Sequence, residues 1–230
     1  MPNLWRSLRI QSSLVVALTV VAVGCSGPKQ QEPLRKSAAV KQELPHTDPQ
    51  MVGASAPSAP SQVDLQTRFD AAAKAILYVP PDAFPQLPDT VKSTLRSLKC
   101  AIPQPSGSGP QRNVIRGDFF TRGQTGWAVL CSIGGFSSIL VFRDNLDAHP
   151  EELERSEDKG YLQNLGNDVI GYSREITAVD RNVIMTSYRE HGGPEPPPID
   201  HHGIDDAFLE KASVIHYWYE GHWLKLQGAD

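Results

Sequence analysis

The sequence has few cysteines and no long run of apolar residues. Only 3 of its 230 residues are cysteine, and none are spaced as C-x-x-C, which excludes the common zinc-knuckle patterns. The longest weakly polar to apolar run covers residues 12–23, and a helix that crosses a hydrocarbon layer needs roughly 20 residues. With 40% hydrophobic and 21% charged residues, the composition is typical of a globular protein rather than a disordered or membrane-embedded one.

Basic residues are scarce in most of the chain. Of the 22 lysines and arginines, 16 lie in residues 63–230, where 23 of the 26 acidic residues also lie, so this part has a net charge of −7. A nucleic-acid-binding protein needs clustered basic side chains to displace counterions from phosphates. The sequence therefore predicts no nucleic-acid partner, and its length suits one domain with an appendage.

Motifs for nucleotide or nucleophilic chemistry are missing. The chain has no G-x-x-x-x-G-K-[ST], no G-x-G-x-x-G after a strand and no H-E-x-x-H. The nearest approach to the hydrolase motif G-x-S-x-G begins at Gly135 and has Ile139 in place of the last glycine. No motif therefore indicates a reaction.

The N-terminus has the features of an export signal. Arg6 and Arg9 precede the apolar run, and a glycine separates that run from Cys25. The segment Ala22–Cys25 resembles the lipobox of bacterial lipoproteins, although leucine is usual in that family where Ala22 stands. The resemblance implies that residues 1–24 are a removed signal peptide and that Cys25 is lipidated. Ordinary secretion is the alternative, because the small residues here also suit a general signal peptidase.

Residues 25–61 are predicted to be a disordered tether between the membrane and a globular domain at 62–230. The segment contains six prolines among Gln, Ser, Ala and Lys, and such a composition buries too little apolar surface to fold. Its root-mean-square reach would be roughly 35 Å. By the same resemblance, Ser26 favours the periplasmic face of the outer membrane, because lipoproteins kept at the inner membrane tend to carry aspartate there.

The other two cysteines favour the same compartment. If Cys25 carries lipid, Cys100 and Cys131 remain as an even pair, and disulfides persist in exported proteins. We expect these two cysteines to be bonded; two buried free thiols are the alternative.

The first half of the domain is predicted to contain two helices and then three strands. The first helix runs from Asp64 to about Leu77, and the second follows Asp89 and ends at Cys100. The strands are predicted at 113–120, 125–133 and 137–143. Because the last two have apolar residues on both faces, they should be central strands that are covered on both sides.

The second half is predicted to contain more irregular structure. A solvated helical turn is expected from Pro150, because five acidic residues lie between 151 and 158. A short helix capped by Asp180 and ended by Gly192 follows. The clearest β-hairpin comprises strands at 213–219 and 222–226 around the dipeptide Glu220-Gly221.

The hairpin presents two cross-strand pairs on opposite faces. Tyr217 pairs with Leu224 on a face predicted to be buried, and Trp218 pairs with Trp223 on the other face. His216 shares the tryptophan face. This face is predicted to pack inside the protein, with an exposed binding platform as the alternative.

The segment Gly117-Asp118-Phe119-Phe120, with the strand after it, resembles a single FG-GAP blade, which starts with G-D-F and continues into a strand reading L-A-V. In that family, aspartates in the loop between the two strands hold calcium. Here Thr121, Arg122, Gln124 and Thr125 stand in that loop. The resemblance therefore implies a strand–turn–strand without calcium, and a single copy does not make a propeller.

The segment from Asp200 to Asp206 concentrates imidazole and carboxylate groups, and His191 lies nearby in the sequence. Such groups suit zinc or a similar ion. The candidate metal-binding residues are His191, His201, His202 and Asp205. A polar loop that leads into a strand is the favoured interpretation, and an acid–base pair of Asp205 with His201 is a third.

Together these features predict an α+β fold, in which two N-terminal helices pack on a mainly antiparallel sheet that a C-terminal hairpin completes. The predicted function is non-enzymatic. It is that of a lipid-anchored cell-envelope protein whose acidic domain binds an envelope protein or serves a structural role, without a cofactor. The alternative is a metal-assisted envelope hydrolase that uses residues 200–206.

Overall fold

The computed structural model of the chain describes residues 61–107, 109 and 111–229. The predicted signal peptide, the lipobox with Cys25 and nearly all of the predicted tether lie outside the described residues. Within the described part, no helix is long and apolar enough to cross a membrane.

The described residues form three α-helices and twelve strands. The helices are α1 (Gln62–Lys74), α2 (Asp89–Ser97) and α3 (Arg181–His191). The strands of the first half are β1 (Leu77–Val79), β2 (Ile102–Gln104), β3 (Val114–Gly117), β4 (Gly126–Ile133), β5 (Phe136–Phe142) and β6 (Glu151–Glu157). Those of the second half are β7 (Leu162–Asn164), β8 (Ile170–Tyr172), β9 (Arg174–Val179), β10 (Gly203–Phe208), β11 (Ala212–Tyr219) and β12 (His222–Gln227).

Two four-stranded antiparallel sheets make up most of the domain. The first sheet has the order β3-β4-β5-β6 and the second has the order β12-β11-β10-β9, so spatial neighbours are also neighbours along the chain. Two small two-stranded sheets, β1-β2 and β7-β8, are also antiparallel. The predicted α+β class with mainly antiparallel strands is confirmed, but the strands form two main sheets rather than the single sheet predicted.

The two main sheets pack face to face through a shared apolar cluster. Leu130 and Ile139 of the first sheet meet Ile176 and Ile204 of the second, and all four side chains are buried. The opposite face of the first sheet packs against α2, and the opposite face of the second sheet packs against α3. The prediction that β4 and β5 are central strands covered on both sides is therefore confirmed.

The two N-terminal helices pack in different places. Val91 and Leu95 of α2 lie in the cluster on the outer face of the first sheet, as predicted. Phe69 of α1 instead packs beside Leu162 and Tyr172 of the small β7-β8 sheet. Helix α1 also begins earlier than predicted, because Ser61 is its N-cap and forms a reciprocal capping box with Asp64.

The C-terminal hairpin has the predicted register. Tyr217 pairs with Leu224, and Trp218 pairs with Trp223. The turn residues Glu220 and Gly221 have φ angles of 46° and 91°, as a two-residue hairpin turn with the strand twist requires. Helix α3 also follows the prediction, since the Asp180 side chain accepts a hydrogen bond from the Val183 amide.

The helical turn predicted from Pro150 is wrong. Residues Glu151–Glu157 form β6, the edge strand that pairs with β5. Glutamates and arginine favour helices locally, but pairing with a neighbouring strand overrides this preference. Charged side chains are also common on edge strands, where they discourage pairing with other molecules. Only Leu153 of this strand adds to the apolar cluster between the sheets.

Cys100 and Cys131 lie at disulfide distance, with Cα atoms 5.4 Å apart. Cys100 follows the C-terminus of α2, and Cys131 belongs to the buried strand β4. The structure thus supports the predicted pairing, which fastens the end of α2 to the middle of the first sheet.

Candidate functional site

A cleft of about 320 Å³ opens beside the turn of the C-terminal hairpin, and we call it the aromatic cleft. Its apolar lining comprises Phe120, Pro198, Ile199, Trp218 and Tyr219. Its polar lining comprises Thr121, Asp200, His201 and Glu220. Three features that the sequence singled out meet here: the loop after Gly117, the loop that begins at Asp200, and the tryptophan face of the hairpin.

A pair of reciprocal hydrogen bonds joins the two loops. The Asp118 amide donates to His202 Nδ1 at 3.1 Å, and the His202 amide donates to the Asp118 carbonyl oxygen at 2.9 Å. His202 Nδ1 is therefore an acceptor and is not available as a metal ligand. The two loops that line the cleft are held in one arrangement by this contact.

The Asp118 carboxylate fixes the shape of its own loop. It accepts hydrogen bonds from the Gly123 amide at 2.7 Å and from Thr125 Oγ1 at 3.2 Å. The Gly123 hydrogen bond is the main reason why the pKa of Asp118 is below its usual value. The aspartate that resembles the FG-GAP pattern thus has a structural role here.

The aromatic residues near the cleft pack edge to face. The ring centroid of Phe120 lies 5.0 Å from that of Trp218 and 5.4 Å from that of Trp223. The Arg143 guanidinium lies 4.0 Å from the Phe120 centroid and 4.8 Å from the Trp218 centroid. Trp223 Nε1 donates to the Glu151 carboxylate at 2.9 Å. Trp218 packs on Phe120, as the favoured prediction for the tryptophan face expects, and it also lines the cleft. This face is therefore both packed and accessible from the surface.

The cleft carries negative charge. Asp200 and Glu220 line it, and none of the described lining residues is lysine or arginine. The Asp200 side chain is exposed and forms no hydrogen bond or ion pair within the described part of the chain. The Glu220 carboxylate lies beside the Tyr219 hydroxyl and raises the pKa of that phenol.

The four candidate metal-binding residues do not form a metal site. His201 lies in the aromatic cleft with Nδ1 3.1 Å from the His202 carbonyl oxygen. Asp205 is paired opposite Ile215 within the second sheet, and His191 lines a different cleft. Among the described residues, no group of three or more His, Cys, Asp and Glu side chains is placed to hold a metal ion. Asp205 and His201 form no hydrogen bond with each other, so the acid–base pair also lacks the contact it needs.

Sequence reasoning missed a charged pair between the two main sheets. Arg174 is fully buried, and its Nε and Nη2 donate to the two carboxylate oxygens of Asp206 at 2.9 and 2.8 Å. The guanidinium also donates to the Ser137 and Glu154 carbonyl oxygens at 3.1 and 3.0 Å. The pair thus connects β9 and β10 of the second sheet with β5 and β6 of the first. The sequence could have indicated this pair only through the position of Arg174, which lies two residues before the buried Ile176 and therefore on the same inward face of β9.

His216 lies in the same interior and has no hydrogen-bond partner at either ring nitrogen. Its side chain is fully buried on β11. The charged groups nearest to it are Asp206 on β10, Glu154 on β6, Lys225 on β12 and Arg174 on β9. The pKa of His216 is lowered mainly because burial disfavours the charged imidazolium; Lys225 and Arg174 lower it further, whereas Asp206 and Glu154 raise it.

We expect the folded protein to lose stability as the pH falls from about 6.5 to 5. Unfolded His216 binds a proton near pH 6.5, whereas folded His216 binds it only at lower pH, so acidification favours the unfolded chain. The loss should reach at most about 1.4 kcal/mol per pH unit for this group. Denaturant unfolding across this range should show a flatter pH dependence for His216→Leu than for the exposed-residue control His149→Gln. Equal pH dependence in both variants would contradict the assignment.

Glu154 and Asp206 also line a second cleft, of about 440 Å³. Their carboxylates are already paired, with Lys225 and Arg174 respectively. Aromatic side chains line both clefts, Tyr161 and Phe208 in the second. The aromatic cleft is the better candidate for binding, because its Asp200 carboxylate has no partner among the described residues.

Comparisons of this chain with known protein families, with curated proteins and with solved structures found no match. The chemistry of the cleft residues is therefore the basis for a functional conclusion.

Proposed function

We propose that the chain is a lipid-anchored protein of the bacterial cell envelope whose domain has a non-enzymatic binding role at the aromatic cleft. The observation that carries the binding role is the meeting of Asp200 and His201 with Trp218 and Tyr219 around one cleft. Clefts that combine an aromatic wall with a few convergent polar groups are the usual form of small-ligand sites.

The arrangement of the polar groups favours binding over catalysis. Nucleophilic catalysis needs a nucleophile held by a base through a hydrogen bond. Thr121 and His201 both line the cleft, but no hydrogen bond joins them in the described structure, and His201 Nδ1 contacts a backbone carbonyl instead. The metal-assisted hydrolase has no supporting observation, because the described residues provide no set of metal ligands.

The anchor is supported by the N-terminal sequence alone, namely the export signal and the lipobox resemblance that ends at Cys25. Acyl chains on this cysteine would hold the domain at the membrane surface. On this proposal the acidic domain stays near the periplasmic face of the outer membrane, tethered by residues 25–61.

Replacing Cys25 with alanine should release the protein from the membrane or leave an uncleaved precursor, because the lipid attachment site is gone. Membrane fractionation and mass spectrometry of the N-terminal peptide measure both results. The matched control is Ser26→Ala, which keeps the cysteine and should stay in the membrane fraction. Membrane retention of Cys25→Ala, together with a wild-type cysteine that carries no acyl group, would refute the anchor.

A further inference from the structure

We propose that the aromatic cleft binds an uncharged pyranose unit of a glycan. This inference rests on the proposed binding function and adds the class of ligand. A pyranose has one face of C–H groups that packs on an aromatic ring, and hydroxyl groups that donate to carboxylates. The cleft offers both partners, since the half-buried rings of Trp218 and Tyr219 border it and Asp200 and Glu220 supply acceptors.

The charge of the cleft disfavours an anionic ligand. Both charged groups in the described lining, Asp200 and Glu220, are carboxylates. A phosphate or carboxylate ligand would meet like charge, and the described lining contains no lysine or arginine to pair with it. The guanidinium of Arg143 beside Trp218 is already paired with Glu151.

A cationic ligand is also disfavoured, because Arg143 already occupies the position of a bound cation. Its guanidinium lies within 5 Å of both the Phe120 and the Trp218 ring centroids. A second cation over the same rings would be repelled by the first and would gain less from the ring electrons. An uncharged ligand with several hydroxyl groups meets neither penalty.

The cleft is held in shape before a ligand arrives. The reciprocal hydrogen bonds of Asp118 and His202 hold its two loops together. Trp218 is fixed by edge-to-face contacts with Phe120 and Trp223. A site that is ordered in advance spends less binding free energy on ordering side chains. The Asp200 carboxylate, which has no partner within the described residues, can accept hydroxyl donors without breaking an existing bond.

Calorimetric titration of the purified full-length protein with chitotriose and cellotriose tests the proposal. The detergent must lack a sugar headgroup, which would compete for the site. We expect saturable binding of at least one trisaccharide with a Kd below about 1 mM. Choline chloride and sodium phosphate, as probes for a cation site and an anion site, should not bind.

Two variants connect that binding to the cleft. Trp218→Ala and Asp200→Asn should each weaken binding about tenfold or more. Their matched controls are Phe136→Ala and Glu190→Gln, which change an exposed aromatic ring on β5 and an exposed carboxylate on α3. Both residues lie outside the lining of the cleft, so these variants should leave the Kd unchanged. Asp200 is exposed and has no partner among the described residues, so Asp200→Asn should melt like the wild type. This variant therefore still tests the proposal if Trp218→Ala does not fold.

Three results would overturn the saccharide assignment: no binding of either trisaccharide, binding that Asp200→Asn leaves unchanged, or binding of choline or phosphate in their place. If a protein cross-links to the cleft while neither trisaccharide binds, the saccharide inference fails and the binding role stands. A failure of the Cys25 anchor appears in membrane fractionation and leaves these titrations unaffected.

Discussion

Replacing Asp206 with leucine should lower the free energy of unfolding by about 3–5 kcal/mol. The substitution leaves the Arg174 guanidinium charged in an interior where it is fully buried and has lost its carboxylate partner. Urea denaturation followed by circular dichroism measures the loss. Arg174→Met should cost a similar amount, because it leaves a buried carboxylate and two buried carbonyl groups without their donor.

The double variant Arg174→Met/Asp206→Leu separates the cost of an unpaired charge from the value of the pair. It removes both charges, so it should lose clearly less stability than either single variant. Arg112→Met is a matched control, because the Arg112 side chain is exposed and pairs with Glu175, the partly buried neighbour of Arg174. That variant should lose less than about 1 kcal/mol. If Asp206→Leu proves as mild as Arg112→Met, the pair is not buried as described.

Replacing Tyr217 with alanine should destabilise the protein by about 3–5 kcal/mol. The Tyr217 side chain is only 2% exposed and packs with Ile184 of α3 and with Ile215 and Leu226 of the hairpin. Removing the ring leaves a cavity between α3 and the second sheet. Thermal and urea unfolding should both show the loss.

Tyr219→Ala is the control for this prediction. Tyr219 lies on the same face of β11 but is only half-buried, near the hairpin turn. Its removal should cost less than half as much, since less apolar surface returns to water. A melting curve of Tyr217→Ala that matches the wild type would contradict the packing of α3 on the hairpin.

The elements that the sequence predicts correctly are those whose signals are local. The hairpin follows from apolar alternation around Glu220-Gly221, and α3 follows from the cap Asp180 and the terminal glycines. The strand β6 was mispredicted because its composition favours a helix, whereas its conformation is decided by pairing with β5. The helix preference of the residues within this segment is weaker than the effect of pairing with a neighbouring strand, which the local sequence does not reveal.

The division into two main sheets could not be predicted either, because it depends on pairing between strands that are distant in the sequence. It depends on β9, a strand whose partner β10 lies beyond α3 in the chain. The buried pair has the same origin, since Arg174 and Asp206 are 32 residues apart in sequence. Only the register of β9 on β10 brings them together.

The residues of the candidate site were partly predicted. The sequence favours a polar loop at Asp200 and packing of the Trp218 face, and it offers a ligand site and a binding platform as the alternatives. Their meeting in one cleft depends on the contact between Asp118 and His202, which joins loops 84 residues apart. The candidate metal ligands are not brought together among the described residues, where Asp205 lies within the second sheet opposite Ile215.

The order of strands within each main sheet has a consequence for how the domain folds. Spatial neighbours are chain neighbours in both sheets. The first sheet closes only short connections, which favours rapid folding, whereas the second sheet must also close the longer connection through α3 between β9 and β10. The strands β3 to β6 and both cysteines precede β9 in the chain, so the first sheet needs no strand from the second half. The second half then assembles around its own charged pair. Docking of the two halves is the remaining step, and it is the step in which the Arg174 guanidinium exchanges water for the carbonyl groups of Ser137 and Glu154.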